Sequence, residues 1–285
     1  MNELEFLAGL RDLPLHPGAR GLKDDCAVLE FGSETLILTH DMMAEGTHFE
    51  PEANMADVAW KLVAMNLSDL ASKGAEPIGV LVGVSLGRDD TGFLSGLRDA
   101  LSVYNVPLLG GDTIAATGAS TFGITAVGRA THKPVPSRRG SKTGDAIYVT
   151  GIIGRAMLGF EGHKQHFEAF HRPQPMLSEG YALAPMVSAM MDISDGLLLD
   201  AWRMARASEV SYRLNPELIP VADSARMDDC LRWGDDYELL FTADPARELP
   251  VPATQIGKVE LQANASLFLG GTALTEPGSL GYRHG

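Results

Sequence analysis

Cysteine is scarce in this chain: Cys26 and Cys230 are the only two among 285 residues. Without a C-x-x-C pair, a disulfide scaffold and thiol redox chemistry both lose support. No apolar run reaches the ~18 residues a membrane span needs. Met1 to Leu10 includes Glu3 and Glu5 and lacks the basic start of an export signal, so a reduced, cytoplasmic protein is expected. Positive charge is also short, with 23 Lys and Arg against 37 Asp and Glu and a net charge of −14. A chain of that sign repels nucleic acid and anionic membranes, and neither is expected as a partner.

Several signatures of known chemistry are missing too. There is no G-x-x-x-x-G-K-[ST], and no two glycines stand at G-x-G spacing, which removes the P-loop, the dinucleotide fingerprint and the protein-kinase glycine loop. H-E-x-x-H and G-x-S-x-G are absent as well. His163, His166 and His171 lie in a polar stretch without a matching carboxylate pattern, and read as a solvated helix or loop rather than a metal site.

What remains is a chain that is 45% apolar and long enough for two domains. Hydrophobic periodicity predicts a helix at 2–12, strands near 26–30 and 35–40, a helix at 56–73, and a strand at 77–86. A helix at 91–105, a short strand into Gly110-Gly111-Asp112 and a strand at 121–130 complete a ββαβαββ unit. Its helices should cover one face of a mixed sheet. The Pro-, Ser- and Arg-containing stretch 132–144 reads as a linker. Beyond it come strands at 145–151, 189–192, 209–213, 237–242 and 254–259, and a helix at about 195–207. The expected fold class is therefore α/β of the α+β type, with domains at 1–134 and 135–285.

Aspartates recur where elements end. Asp24 and Asp25 precede a strand, and Asp41 closes one in which Ile37, Thr39 and Asp41 share a face. Asp112 follows two glycines whose backbone can approach a phosphate closely. Asp192 ends a strand before Ser194-Asp195-Gly196, where Ser194 reads as a helix N-cap and anion site. Asp69 follows Val58, Leu62 and Met65 at i, i+4, i+7 and i+11, so a carboxylate continues an apolar stripe near a helix C-terminus. The macrodipole and burial both oppose it there unless a cation is near. Carboxylates that converge in this way need cations between them, and oxygen-only ligands select Mg²⁺ over zinc.

These segments also resemble a known family. KDDCAVL (23–29), LTHDMMAEGTHF (38–49), MNLSDLASKGAEP (65–77), LLGGDT (108–113), SRRGSKTGD (137–145), MDISDGLLLD (191–200) and GDDYELLFT (234–242) occur in the order seen in the thiamine-monophosphate kinases. The resemblance runs from about residue 2 to 283. It implies an aminoimidazole ribonucleotide synthetase-like two-domain fold, a homodimer with packed N-terminal sheets, and ATP-dependent, Mg²⁺-assisted phosphorylation of thiamine monophosphate. It implies metal ligation by Asp25, Thr39, Asp41, Asp69, Asp112, Asp192 and Asp195. ATP contacts are implied at Gly111, Asp112, Arg138 and Ser194, and contacts to the phosphate acceptor at His48, Asp235 and Tyr282. No general base is implied, because a phosphate monoester is already ionised. The chain departs from the family pattern at Lys23 for glycine, His40 for threonine and Asp235 for glutamate, and has Leu94 where an aromatic faces the adenine.

Overall fold

The computed structural model describes residues 3–282, except the side chains of Glu3, Leu4 and Pro277. Asn2, expected to start the first helix, lies outside the described residues. The N-terminal half runs α1 (Glu3–Arg11), β1 (Ala27–Phe31), β2 (Glu34–Ala44), α2 (Met55–Ser72), β3 (Ala75–Leu86), α3 (Asp90–Val103), β4 (Leu108–Ala115) and β5 (Thr121–Ala130). The sheet order is β1-β2-β5-β3-β4. Only β3 and β4 pair in parallel, with α3 as their crossover; the other pairs are antiparallel. The expected ββαβαββ unit and its mixed sheet are both present.

Strand alternation sorts the two faces of this sheet. Ile37, Met43, Val80, Phe122, Ile124 and Ala126 turn inward and are covered by Val58 and Leu62 of α2 and by Phe93 and Leu97 of α3. On the opposite face Met42, Leu81 and Ile114 are exposed along β2, β3 and β4.

Helix α2 has clear start and stop signals. The Asn54 side chain accepts a hydrogen bond from the Ala56 N–H at the N-cap. Gly74 ends the helix at φ +57, a left-handed position where a Cβ would come 2.4 Å from the Ala184 Cβ.

The second half contains β6 (Ala146–Val149), α4 (Arg155–Phe160), α5 (Phe167–His171), α6 (Leu177–Leu183), β7 (Ala189–Asp192), α7 (Leu197–Ala207), β8 (Val210–Leu214), α8 (Met227–Trp233), β9 (Leu239–Ala243), β10 (Thr254–Leu261), β11 (Leu267–Leu269) and β12 (Thr272–Leu274). They form a seven-stranded sheet ordered β12-β11-β8-β10-β6-β9-β7. Its central strands are buried on both faces. Ile147, Val149, Met191 and Leu240 pack with Leu197, Leu198 and Met204 of α7. On the other face Tyr148, Met190, Leu239 and Phe241 pack with Leu183 of α6 and Ala71 of α2. The C-terminal end of α2 is thus shared by both cores.

Periodicity missed α4, α5, α6, α8, β11 and β12, which are too short to show one. The stretch 132–144 is irregular, as expected of a linker, but it is not loose: Arg20 donates to the carbonyls of Val135 and Pro136, and Ser137 and Arg138 bind aspartates.

Gly96 of α3 sets how closely α3 approaches α2, since a Cβ there would lie 2.0 Å from the Ala56 carbonyl oxygen. Gly96→Ala should destabilise the protein by ~1–3 kcal/mol through overpacking. Urea denaturation checks this, and an unchanged midpoint would mean the two helices have slack.

Candidate metal centre

The last two turns of α2 meet the edges of both sheets. Asp69 comes from α2, Asp25 lies two residues before β1, and Asp192 ends β7. One ligand oxygen from each of the three lies within 4.8 Å of the others. Asp41, one pleat beyond Thr39 on the inward face of β2, belongs to the same electrostatic network. Asp25, Asp41 and Asp192 each add negative potential at Asp69, and Asp195 adds its own at Asp41. A cavity of about 270 Å³, lined by Asp24, Asp25, Thr39, His40 and Asp41 among others, opens beside them.

The carboxylates are not equally compensated. Among the described residues no lysine or arginine forms an ion pair with Asp41, Asp69 or Asp192; Asp69 and Asp192 have hydroxyl partners, and Arg138 attracts Asp41 without pairing with it. Thr39 donates to Asp69, and Ser68 donates to Asp192 at 2.7 Å. Burial, with the neighbouring carboxylates added, pushes Asp41 up to about 6, Asp192 up to about 8 and Asp69 well above the usual carboxylate range. By contrast, Asp25 accepts from Arg138 Nε at 2.7 Å and from Lys73 Nζ at 2.5 Å. Asp24 accepts from Lys73 at 2.7 Å, from Arg20 at 2.6 Å and from Ser137 at 2.7 Å. Burial opposes ionisation of Asp24, yet Lys73 and these donors hold its carboxyl well below the ordinary value.

Around β7 a further layer appears. Asp200 of α7 is fully buried, accepts from the N–H groups of Ser194 and Asp195 at 3.2 and 3.0 Å, and pairs with Arg203, which also binds Asp195. Burial and Asp195 push Asp200 up to about 7, against the pull of Arg203. This corrects one expectation: Ser194 is not the N-cap of α7. That position is Gly196, and Asp200 already occupies the two N–H groups that an anion would have used. Arg138 also differs from a solvated linker charge, since it is mostly buried against Asp25.

Of the seven residues expected to hold metal, Asp25, Thr39, Asp41, Asp69, Asp192 and Asp195 form one network. Asp112 does not join it. It is exposed on the edge strand β4, opposite Gly83 of β3, and its carboxylate accepts the neighbouring Thr113 N–H at 2.9 Å. Gly111 is required by packing, because a Cβ there would lie 2.0 Å from the Val82 carbonyl oxygen.

The expected acceptor-side residues are placed separately. His48 Nδ1 accepts the Ala44 N–H at 3.0 Å within a tight loop after β2. Asp235 pairs with Lys61 of α2 at 2.7 Å and accepts from the Tyr237 hydroxyl at 2.9 Å. Tyr282 is exposed and its N–H donates to the Asp195 carbonyl at 2.9 Å. Of the departures, Lys23 and Leu94 are exposed, and His40 lies on the outer face of the sheet, bonded to Thr125 at 2.9 Å.

Reading the sequence missed Lys61, Ser68, Lys73, Asp200 and Arg203. Lys61 and Lys73 had a signal, since each sits in the otherwise apolar or small-residue pattern of α2 and its end.

An oxygen-only donor set with three converging carboxylates, two of which (Asp69 and Asp192) have no lysine or arginine ion pair among the described residues, suits a hard divalent ion such as Mg²⁺. The raised carboxyls carry a pH dependence. Groups whose folded pKa is raised stabilise the fold fully below ~4, the unfolded value, and lose that contribution as pH rises through about 6 and about 8. The metal-free protein should therefore melt at lower temperature at pH 8.5 than at pH 5.5, and Mg²⁺ should raise the melting temperature more at the higher pH. Asp69→Asn should raise the metal-free melting temperature at pH 8 by ~2 °C or more while shrinking the Mg²⁺ response. Scanning fluorimetry with chelator and with Mg²⁺ measures both, and a lower metal-free value for the variant would refute the account.

The chain matches known proteins along most of its length. Residues 23–130 match the AIR synthase related protein N-terminal domain, and residues 142–255 match its C-terminal domain. A thiamine-monophosphate kinase from Escherichia coli K12 is 32% identical, covering 87% of this chain and 86% of its own. One from Caulobacter vibrioides is 32% identical over 94% of this chain and 86% of its own. A solved structure described as AaThiL complexed with AMPPCP and TMP superposes with a TM-score of 0.88 at 25% identity, covering 100% of this chain and 97% of that one. A thiamine-monophosphate kinase from Stenotrophomonas maltophilia K279a gives 0.77 at 29% identity, covering 95% of each chain.

Proposed function

The chain belongs to the AIR synthase related proteins and, within them, to the thiamine-monophosphate kinases, and from that membership we propose that it transfers the terminal phosphoryl group of ATP to the phosphate of thiamine monophosphate, giving thiamine diphosphate. The observation that carries the reading is the set of converging carboxylates around the end of α2, of which Asp69 and Asp192 lack an ion pair among the described residues, and which suits ions that two polyphosphate anions can share.

The acceptor is a phosphate monoester, ionised near neutral pH, so no side chain has to remove a proton from it. The obstacle is bringing two anions together. Bound Mg²⁺ ions would supply the charge neutralisation and bridge the phosphates. The residues proposed to hold them are Asp25, Thr39, Asp41, Asp69, Asp192 and Asp195, with Asp112 added on the resemblance alone. Arg138 spends Nε and Nη2 on Asp25, which leaves Nη1 for an ATP phosphate. Gly111 and Ser194 are proposed on the nucleotide side, Ser194 through its hydroxyl. His48, Asp235 and Tyr282 are proposed on the acceptor side, with Lys61 positioning Asp235.

Location and assembly follow as proposals. No helix among the described residues is long and apolar enough to cross a membrane, and a cytoplasmic protein is proposed. The apolar residues exposed on one face of the first sheet, Met42, Leu81 and Ile114, support a homodimer built on that face.

Release of ADP should require ATP, Mg²⁺ and thiamine monophosphate together, and free thiamine should be a poor acceptor because it lacks the bridging phosphate. Inorganic phosphate without ADP would make the protein a phosphatase, and ATP binding without turnover would make it a binding module. Asp192→Asn and Asp112→Asn should each lower kcat by at least ~100-fold; wild-type turnover in Asp112→Asn would remove that residue from the ligand set. Lys61→Met should raise the KM for thiamine monophosphate at least ~10-fold with little change in the KM for ATP. An equal effect on both would mean that Lys61 only supports the fold.

A further inference from the structure

Lys73 is the residue that follows α2, and its side chain is completely shielded from solvent. A lysine with no exposed surface is rare unless paired. Its ammonium has three donors, directed to Asp24 at 2.7 Å, to Asp25 at 2.5 Å and toward the Met190 carbonyl at 3.5 Å. Asp25 is one of the three carboxylates that converge, and Met190 lies two residues before a second one, Asp192, on β7. One ammonium therefore ties the end of α2, the start of β1 and the strand β7 to one another.

The compensation of the acidic cluster is divided in space. Asp24 and Asp25 face Lys73, Arg20 and Arg138. Asp69 and Asp192 face hydroxyls and neighbouring carboxylates, and Asp41 faces Asp25 and Asp195 with only the unpaired attraction of Arg138 against them. Asp25 sits at the boundary, one oxygen on Lys73 and the other on Arg138.

We propose that Lys73 is a resident cation of the phosphoryl-transfer site: its fixed ammonium does at Asp24 and Asp25 what a further divalent ion would otherwise do, so that one arm of the site is assembled before any metal binds. This rests on the function proposed above. It assigns Lys73 as a positioning residue that sets how many divalent ions the site takes and how far it is formed without them. A protein with this lysine keeps the Asp25 carboxylate held beside Asp69 and Asp192 in the absence of Mg²⁺. Without it, two buried carboxylates are left facing each other with only arginines from the loop segments to separate them, and a second small cation becomes the means of closing the gap.

The test compares wild type with Lys73→Met, which keeps the length of the side chain and removes its charge. The double variant Lys73→Met/Asp24→Asn removes one charge of each sign. In Lys73→Met the metal-free melting temperature should fall by ~5 °C or more, on the scale of breaking a buried ion pair. Mg²⁺ should recover most of that loss, calorimetric titration should show one more Mg²⁺ bound per chain than in wild type, and the half-saturating Mg²⁺ concentration for turnover should rise at least ~5-fold. The double variant should return the metal-free melting temperature to within ~2 °C of wild type, and it carries the test if the single variant does not fold.

A fall in melting temperature with the same Mg²⁺ stoichiometry and half-saturation would make Lys73 a structural lysine only and overturn the proposal. So would an unchanged melting temperature in Lys73→Met, or a double variant no better than the single one. Wild type that binds Mg²⁺ without phosphorylating thiamine monophosphate would instead sink the activity and leave the lysine's effect on Mg²⁺ stoichiometry to be read separately.

Discussion

The structure is organised around an excess of buried negative charge at one helix end. Asp69 stands in the last turn of α2, where the helix dipole already disfavours an anion, and its nearest charged neighbours are the carboxylates Asp41, Asp192 and Asp25. Nothing in the local packing removes this cost. Thr39 and Ser68 satisfy hydrogen bonds but bring no charge. A fold that keeps such a cluster carries a cost that protonation or an incoming cation relieves, and the proposed Mg²⁺ ions are such cations.

Helix α2 makes the arrangement possible because it belongs to both cores. Its N-terminal turns pack under the first sheet through Val58 and Leu62, while Ala71 enters the second core beside Tyr148 and Phe241. Side chains on its length then report to different parts of the molecule: Lys61 to Asp235, Ser68 to Asp192, Asp69 to Thr39, and Lys73 just beyond to Asp24 and Asp25. Lys61 and Asp69 are eight residues apart, so ~12 Å separates them along the axis. The proposed acceptor-side and metal-side residues are thus spaced by one rigid element rather than by loops.

How much of this the sequence disclosed depended on period and length. The strand alternation around Ile37, Thr39 and Asp41, and the stripe that put Asp69 on the buried face of α2, were legible because each has a period that a reader can count. The crossover at α3 and the mixed sheet followed from the order of long elements. The four short helices and two three-residue strands of the second half have no countable period, and tertiary contacts alone define them. Lys73 escaped for another reason. A lysine after a helix reads as a solvated C-terminal charge, and only the fold shows two aspartates from a segment 48 positions earlier closing over it. Ser194 failed by local competition: the pattern suited an N-cap, but Asp200, one turn into α7, captured the same N–H groups first.

Ions and aspartates alone do not separate a kinase from a hydrolase, because a water molecule near the same ions would serve as acceptor. The difference lies in what walls the acceptor end. Here α5 and the chain after it cross α2: Trp60 Nε1 donates to the Pro173 carbonyl at 3.1 Å, Arg172 pairs with Asp57 at 2.5 Å, and the Lys61 ammonium lies 3.7 Å from the centre of the Phe170 ring. Asp235 reaches the same ammonium, and the Tyr237 hydroxyl donates to Asp235, from a loop in which both residues adopt positive φ, 58° and 51°. Backbone held in that region by two non-glycine residues has to be over-determined by its surroundings. In the proposed function the Asp235 carboxylate, held by Lys61 and by the strained loop, is the group of this wall that an organic cation with a phosphate tail would meet, a contact that a lone water would not use.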